Sequence, residues 1–325
     1  MSPRKSTLAA LAAIAAFSVH ATTASAAGLK RLEVPAATGR PALAGAVWYP
    51  CASPAGRVRL RRIEVPGVKD CPVKGTHLPL VVISHGFSGW FGGHHDTAAA
   101  LADAGFVVAA ITHTGEYARS WRYTRPAAIQ HLIDYMIKRW PDRARIDKNR
   151  VGFFGFSRGG YTGLVLIGGV PDFRRIVTHC RKVPKDPVCR PTGSRARQGR
   201  RTSAAPKPSY VHDARIKAAV IAAPLGVVFG RHELKDIRAP VQLWRAAKDE
   251  RARFPYHADA VAKALPVKPD YRVVSAGHFA FLAPCTARQA QVAPALCRDA
   301  DGFDRVGFHK RLNAEIVAFL RKHLR

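Results

Sequence analysis

The chain has 325 residues, of which 47% are hydrophobic, and a formal net charge of +30. That length can bury a sizeable core, and no stretch after the N-terminus reaches about 18 uninterrupted apolar residues, which excludes a membrane-spanning helix further along the chain. So strong a positive field attracts anions, whether nucleic acid, anionic lipid head groups or acidic polymers, and composition alone does not rank them; plain solvation is the favoured reading, and no specific nucleic-acid partner is expected.

Residues 1–27 carry Arg4 and Lys5, then an apolar run from Leu8 to Val19, then a small-residue stretch ending at Ala27. This is the pattern of a secretory signal peptide, so residues 28–325 are expected to form one exported domain, secreted or periplasmic. Six cysteines fall in three close pairs: Cys51 with Cys71, Cys180 with Cys189, and Cys285 with Cys297. Six cysteines allow 15 connectivities, but an oxidising destination and this clustering favour three nearest-neighbour disulfides.

Two early segments, 43–49 and 60–65, are expected to form an antiparallel opening pair. Continuous apolar runs then recur at 78–84, 106–112, 151–156, 217–223, 240–245 and 271–275, with helices expected at 94–105, 126–140, 158–168, 255–264 and 308–323. Apolar residues on both sides of a strand mean cover on both faces, so the alternation predicts an α/β fold with a mostly parallel central sheet between helices. Residues 172–213 break the pattern. They are rich in Arg, Lys, Pro, Gly and Ser, with Arg195, Arg197, Arg200 and Arg201 close together, and are expected to form a basic insertion after the helix at 158–168, stapled by Cys180 and Cys189.

The first chemical candidate in chain order is Ser84-His85-Gly86-Phe87-Ser88-Gly89, directly after an apolar strand. A loop in that place can deliver a backbone N–H, from Phe87, to a developing oxyanion. His94-His95-Asp96 offers metal-ligating side chains, but neighbours on a helix point apart, and a helix-start role is expected instead. The decisive segment is Val151-Gly152-Phe153-Phe154-Gly155-Phe156-Ser157-Arg158-Gly159-Gly160, a strand running into G-x-S-x-G and then a helix. Such a turn holds Ser157 exposed above the sheet as a nucleophile, with the Arg158 N–H as the second oxyanion donor. A serine hydroxyl needs a base, and His278, just past the strand at 271–275, is the best placed. Its orienting acid is expected to be Asp249, after the strand at 240–245, with Glu250 as the fallback. No glycine pattern of a nucleotide site is present, so no cofactor and no metal is implied.

Taken together, Pro79 to Gly86, Gly155 to Gly160, Arg215 to Val220 and Ala276 to Cys285 resemble the dienelactone hydrolase-like branch of the α/β-hydrolases, which includes the platelet-activating factor acetylhydrolases. The resemblance implies the α/β-hydrolase fold and a cofactor-free hydrolase of carboxylic esters, with Ser157, Asp249 and His278 as triad and Phe87 and Arg158 at the oxyanion positions. Its substrates would be small or interfacial esters of short to medium or lipid-like acyl groups. Dienelactone hydrolases proper carry cysteine where this chain has Ser157, and the basic insertion is not part of the minimal fold. A polyester hydrolase of the cutinase kind is the near alternative, and a non-catalytic binder of anionic polymers on a hydrolase scaffold is the distant one.

Overall fold

A computed structural model describes residues 26–54, 56–116, 118, 120–190 and 209–325. The expected signal peptide, save its last two residues, and Arg195, Arg197, Arg200 and Arg201 lie outside the described residues. The strands are β1 (Gly28–Val34), β2 (Leu43–Tyr49), β3 (Gly56–Leu60), β4 (Ile63–Lys69), β5 (Leu78–Ser84), β6 (Val107–Ile111), β7 (Ile146–Phe156), β8 (Ile216–Ala222), β9 (Val241–Ala246) and β10 (Asp270–Val274). The helices are α1 (His95–Asp103), α2 (Trp121–Lys138), α3 (Arg158–Leu166), α4 (Arg174–Lys182), α5 (Arg231–Leu234), α6 (Ala258–Ala264), α7 (Ala287–Val292), α8 (Pro294–Cys297) and α9 (Arg305–His323).

All ten strands join one sheet in the order β10-β9-β8-β7-β5-β6-β2-β1-β4-β3. From β6 through β5 and β7 to β10 every pairing is parallel, and β2 continues the sheet antiparallel to β6. The fold is therefore α/β around a mostly parallel sheet. Alternate residues of each central strand serve opposite faces: Leu80 and Val82 of β5 pack in one apolar cluster, Val81 and Ile83 in the other. The first cluster takes Ile129, Leu132 and Met136 of α2, Leu164 of α3 and Val261 of α6; the second takes Leu101 of α1 and Leu312, Ile316 and Leu320 of α9. This double cover is why the strands read as unbroken apolar runs.

The opening pair differs from expectation. Residues 60–65 straddle the turn of a hairpin between β3 and β4, while β2 pairs along its length with β1, which the sequence reading passed over. The hairpin alternates buried and exposed residues because only one of its faces is covered. Helix α2 starts at Trp121, five residues before Pro126. Proline lacks the N–H that would bond the Arg122 carbonyl four residues back, and the Tyr161 hydroxyl donates to that carbonyl instead, at 3.2 Å. Helix α6 begins at Ala258, three residues after Pro255. The basic segment contains α4, none of whose residues is fully buried; its inward edge is Ile176, His179 and Cys180, too short and mixed a set to mark an apolar stripe in the sequence.

Disulfides join Cys51 to Cys71, Cys180 to Cys189 and Cys285 to Cys297, with Cα separations of 6.4, 5.5 and 5.8 Å. Among the described residues no helix is long and apolar enough to cross a membrane.

Candidate active site

The chain places β6 on one side of β5 and β7 on the other, so consecutive crossovers leave in opposite directions, and the carboxyl ends of β5 and β7 form the switch point at which open α/β sheets commonly bind ligands. Ser157 stands there, between β7 and α3, with φ 55° and ψ −112°. A left-handed φ is strained for serine, and the surroundings impose it. The Ser157 N–H donates to the Ala222 carbonyl at 2.8 Å, and its carbonyl accepts from Tyr161 and Leu225 at 3.1 Å each. The flanking glycines are obligatory. A Cβ on Gly155 would come within 2.4 Å of the Gly159 carbonyl oxygen, and one on Gly159 within 1.9 Å of the Ser84 oxygen.

His278 opens a one-turn helix after β10, and its Nε2 lies 3.0 Å from Ser157 Oγ while its Nδ1 lies 2.8 Å from Asp249 Oδ2. The His278 and Asp249 side chains are 5% and 2% exposed. A carboxylate can only accept, so Nδ1 carries the proton and Nε2 is left to accept from the serine hydroxyl. Asp249 keeps its charge despite burial, which by itself would raise its pKa. The bond from His278 and the N–H groups of Ala252 and Arg251, at 2.6 and 2.8 Å from Oδ1, outweigh that effect and hold the pKa below the usual value. Glu250, the fallback acid, instead accepts from the His278 backbone N–H at 3.2 Å.

Phe87 lies in the turn after β5. A Cβ on Gly86 would stand 3.4 Å from Ser157 Cβ, so this turn runs against the serine. Arg158 is the first residue of α3, where the helix dipole is positive. His85 reinforces the turn from behind: its Nε2 accepts the His113 N–H at 3.0 Å, so Nδ1 carries the hydrogen and donates to the Gly86 carbonyl at 2.6 Å. Burial, followed by the nearby Arg125 charge, pushes the His85 pKa down to about 3, so the ring stays neutral.

The sequence reading missed the charges beneath this turn. Arg125, fully buried, donates to the His85 carbonyl and, at 3.1 Å, to Glu116 Oε2, which lies 3.4 Å from Arg158 Nη1 as well. Burial lowers the Arg125 pKa to about 9 and Glu116 opposes the shift, so the guanidinium remains charged near neutrality. In the sequence both residues look like ordinary surface charges, and no spacing joins them to Ser157.

At the other end of the site, His94 is buried just before α1 and its Nδ1 lies 3.1 Å from the Phe281 carbonyl oxygen. Asp96 accepts from His309 Nδ1 at 2.6 Å and from Asn313 at 3.1 Å, which fastens α1 to α9. Among the described residues no group of three or more His, Cys, Asp or Glu side chains is set to hold a metal ion. No protein-family model matches the chain, and no curated protein matches it either.

Proposed function

We propose that this chain is an exported serine hydrolase of the α/β-hydrolase fold, cleaving carboxylic esters through an acyl-enzyme on Ser157. The observation that carries the reading is the continuous chain from Ser157 Oγ through both nitrogens of His278 to Asp249, at 3.0 and 2.8 Å, on the strained turn that opens α3. Support also comes from chain order, serine then acid then histidine, which is the order of that fold, and from the resemblance to dienelactone hydrolase-like proteins.

In this reading Ser157 Oγ attacks the ester carbonyl while His278 Nε2 takes its proton, and Asp249 stabilises the imidazolium that forms. The carbonyl oxygen becomes an oxyanion held by the N–H groups of Phe87 and Arg158. Collapse of the intermediate breaks the bond to the leaving alkoxide, which receives the proton from His278. Water then attacks the acyl-enzyme with His278 as base, releasing the acid and restoring the Ser157 hydroxyl. No cofactor enters these steps. Three disulfides accord with an oxidising compartment. The exposed basic helix α4 would draw anionic surfaces or polymers that present the ester.

Hydrolysis of nitrophenyl esters of graded acyl length tests the proposal. Ser157→Ala and His278→Ala should each lower kcat by about 10⁴ to 10⁶, and Asp249→Ala by somewhat less. Undiminished turnover in Ser157→Ala would overturn it, and absence of any turnover in the wild type would favour the non-catalytic binder.

A further inference from the structure

The donor expected from Phe87 sits on a surface turn, and two arginines hold that turn from its two ends. Gly89 N–H donates to the Gly86 carbonyl at 3.2 Å, and Ser88 takes a left-handed φ of 53°. The Phe87 side chain is 39% exposed, so burial alone does not fix it. On the near side Arg125 Nη2 donates to the His85 carbonyl and, at 3.4 Å, to Ser84 Oγ. On the far side the Arg158 guanidinium packs on two rings, with Cζ 4.2 Å from the Phe87 centroid and 4.2 Å from the Trp121 centroid.

Glu116 closes the circuit. Its Oε2 lies 3.1 Å from Arg125 Nη1 and 3.4 Å from Arg158 Nη1, and its backbone carbonyl accepts from Arg158 Nη1 at 2.7 Å. One end of the circuit lands on the His85 carbonyl and the other on the Phe87 ring. Between them lies the Gly86–Phe87 peptide, whose N–H is the oxyanion donor in the esterase reading. The geometry points to the Arg158 side chain as a positioning residue for the oxyanion donor: stacked on Phe87 and braced by Glu116 and Arg125, it sets where that N–H aims. The inference rests on the esterase reading and adds to it a second role for Arg158, beyond its backbone N–H.

The planar guanidinium of Arg158 does two things at once. Its face attracts the ring quadrupole of Phe87, and its edge donates to Glu116. Lysine carries the charge but has no plane to stack, so Arg158→Lys should not substitute. An oxyanion donor works only when aimed at the place where charge develops, and its misplacement appears in the chemical step and leaves substrate binding nearly untouched.

Arg158→Met keeps the backbone N–H and removes the guanidinium. With a nitrophenyl ester it should lower kcat about 10- to 100-fold while KM stays within about threefold. A boronic acid, which forms a tetrahedral adduct on serine, should lose affinity by a similar factor. Phe87→Leu, an exposed change that endangers the fold little, should reproduce the loss in kcat, and Phe87→Tyr, which keeps the ring, should restore it. Wild-type kcat in Phe87→Leu overturns the inference whatever Arg158→Met does, as does a change confined to KM. The two readings separate cleanly: turnover that survives Ser157→Ala sinks the esterase, whereas turnover that needs Ser157 but ignores Phe87→Leu sinks only the positioning role.

Discussion

Arginine does two unlike things in two regions of this molecule. Beneath the turn after β5, Arg125 has no exposed surface and its guanidinium meets Glu116, the His85 carbonyl and Ser84 Oγ. Along α4, Arg174, Arg175, Arg181 and Lys182 stand on a helix with no fully buried residue, and Arg174, whose side chain is 91% exposed, pairs with Asp172 two positions before it. A charge taken out of water must find partners for nearly every donor, because the lost hydration costs several kcal/mol per ion. A charge left in water needs none. The charge along α4 is thus solvated surface charge, while the candidate site depends on a few buried groups held by their neighbours.

Acid should separate the two regions most sharply. Burial lowers the pKa of His85 to about 3 and of His94 to about 4, and pushes His113 and His257 down too. In the unfolded chain histidine titrates near 6.5, so below that pH the unfolded state binds more protons than the folded one. The stability these rings contribute is complete above about pH 6.5 and is lost as pH falls toward 4, by about 1.4 kcal/mol per pH unit for each histidine fully shifted. Urea unfolding at pH 7.5, 6.5 and 5.5 reads it while the carboxylates, which titrate near 4, stay almost wholly ionised. A midpoint unchanged over that range would mean the rings are not held neutral, and the contrast between buried and solvated charge would fail.

Next in size is the buried pair itself. Arg125→Met leaves Glu116 buried with Arg158 as its remaining cation among the described residues and should cost about 3 kcal/mol, since breaking a buried ion pair strands a charge. Replacing both, as Arg125→Met with Glu116→Leu, should recover part of that loss, because no stranded charge remains. Denaturant titration at neutral pH checks both variants. A cost below about 1 kcal/mol for the single change would place Arg125 with the surface arginines.

Arg125 also marks where the sequence stops being legible. The central strands could be read because double cover writes an unbroken apolar run, and Ser157 because its turn demands Gly155 and Gly159. Asp249 and His278 followed from their places just past strands, and three cysteine pairs from their closeness. The pairing of β1 with β2 was hidden because Gly28–Val34 mixes Lys30, Arg31 and Glu33 into a strand lying beside a hairpin. Helix α4 was hidden because only Ile176, His179 and Cys180 turn inward, too short and mixed a set to read as an apolar stripe. Glu116 and Arg125 were hidden for another reason: nine residues apart, they meet at no regular spacing, their other partners His85, Ser84 and Arg158 come from distant parts of the chain, and a charge looks the same in a sequence whether its destination is water or the core.

The smallest effects belong to α4. Changing Arg174, Arg175, Arg181 and Lys182 together to Gln should alter stability little, because exposed ion pairs such as Arg174 with Asp172 are worth little in water. What should change is encounter. Solvated charges act over about 8 Å at physiological ionic strength, far enough to draw a chain toward an anionic surface but too weakly to shape a buried reaction. The quadruple variant should therefore show a raised KM for an ester presented on anionic vesicles, with kcat on a small neutral ester unchanged. Added salt should bring wild type and variant together on the vesicles, since screening removes what the mutations removed. If kcat on the neutral ester fell as well, α4 would belong to the machinery around Ser157, and the division between buried and solvated arginine would have been drawn in the wrong place. If KM on vesicles did not move at any ionic strength, the charge of α4 would serve solvation alone.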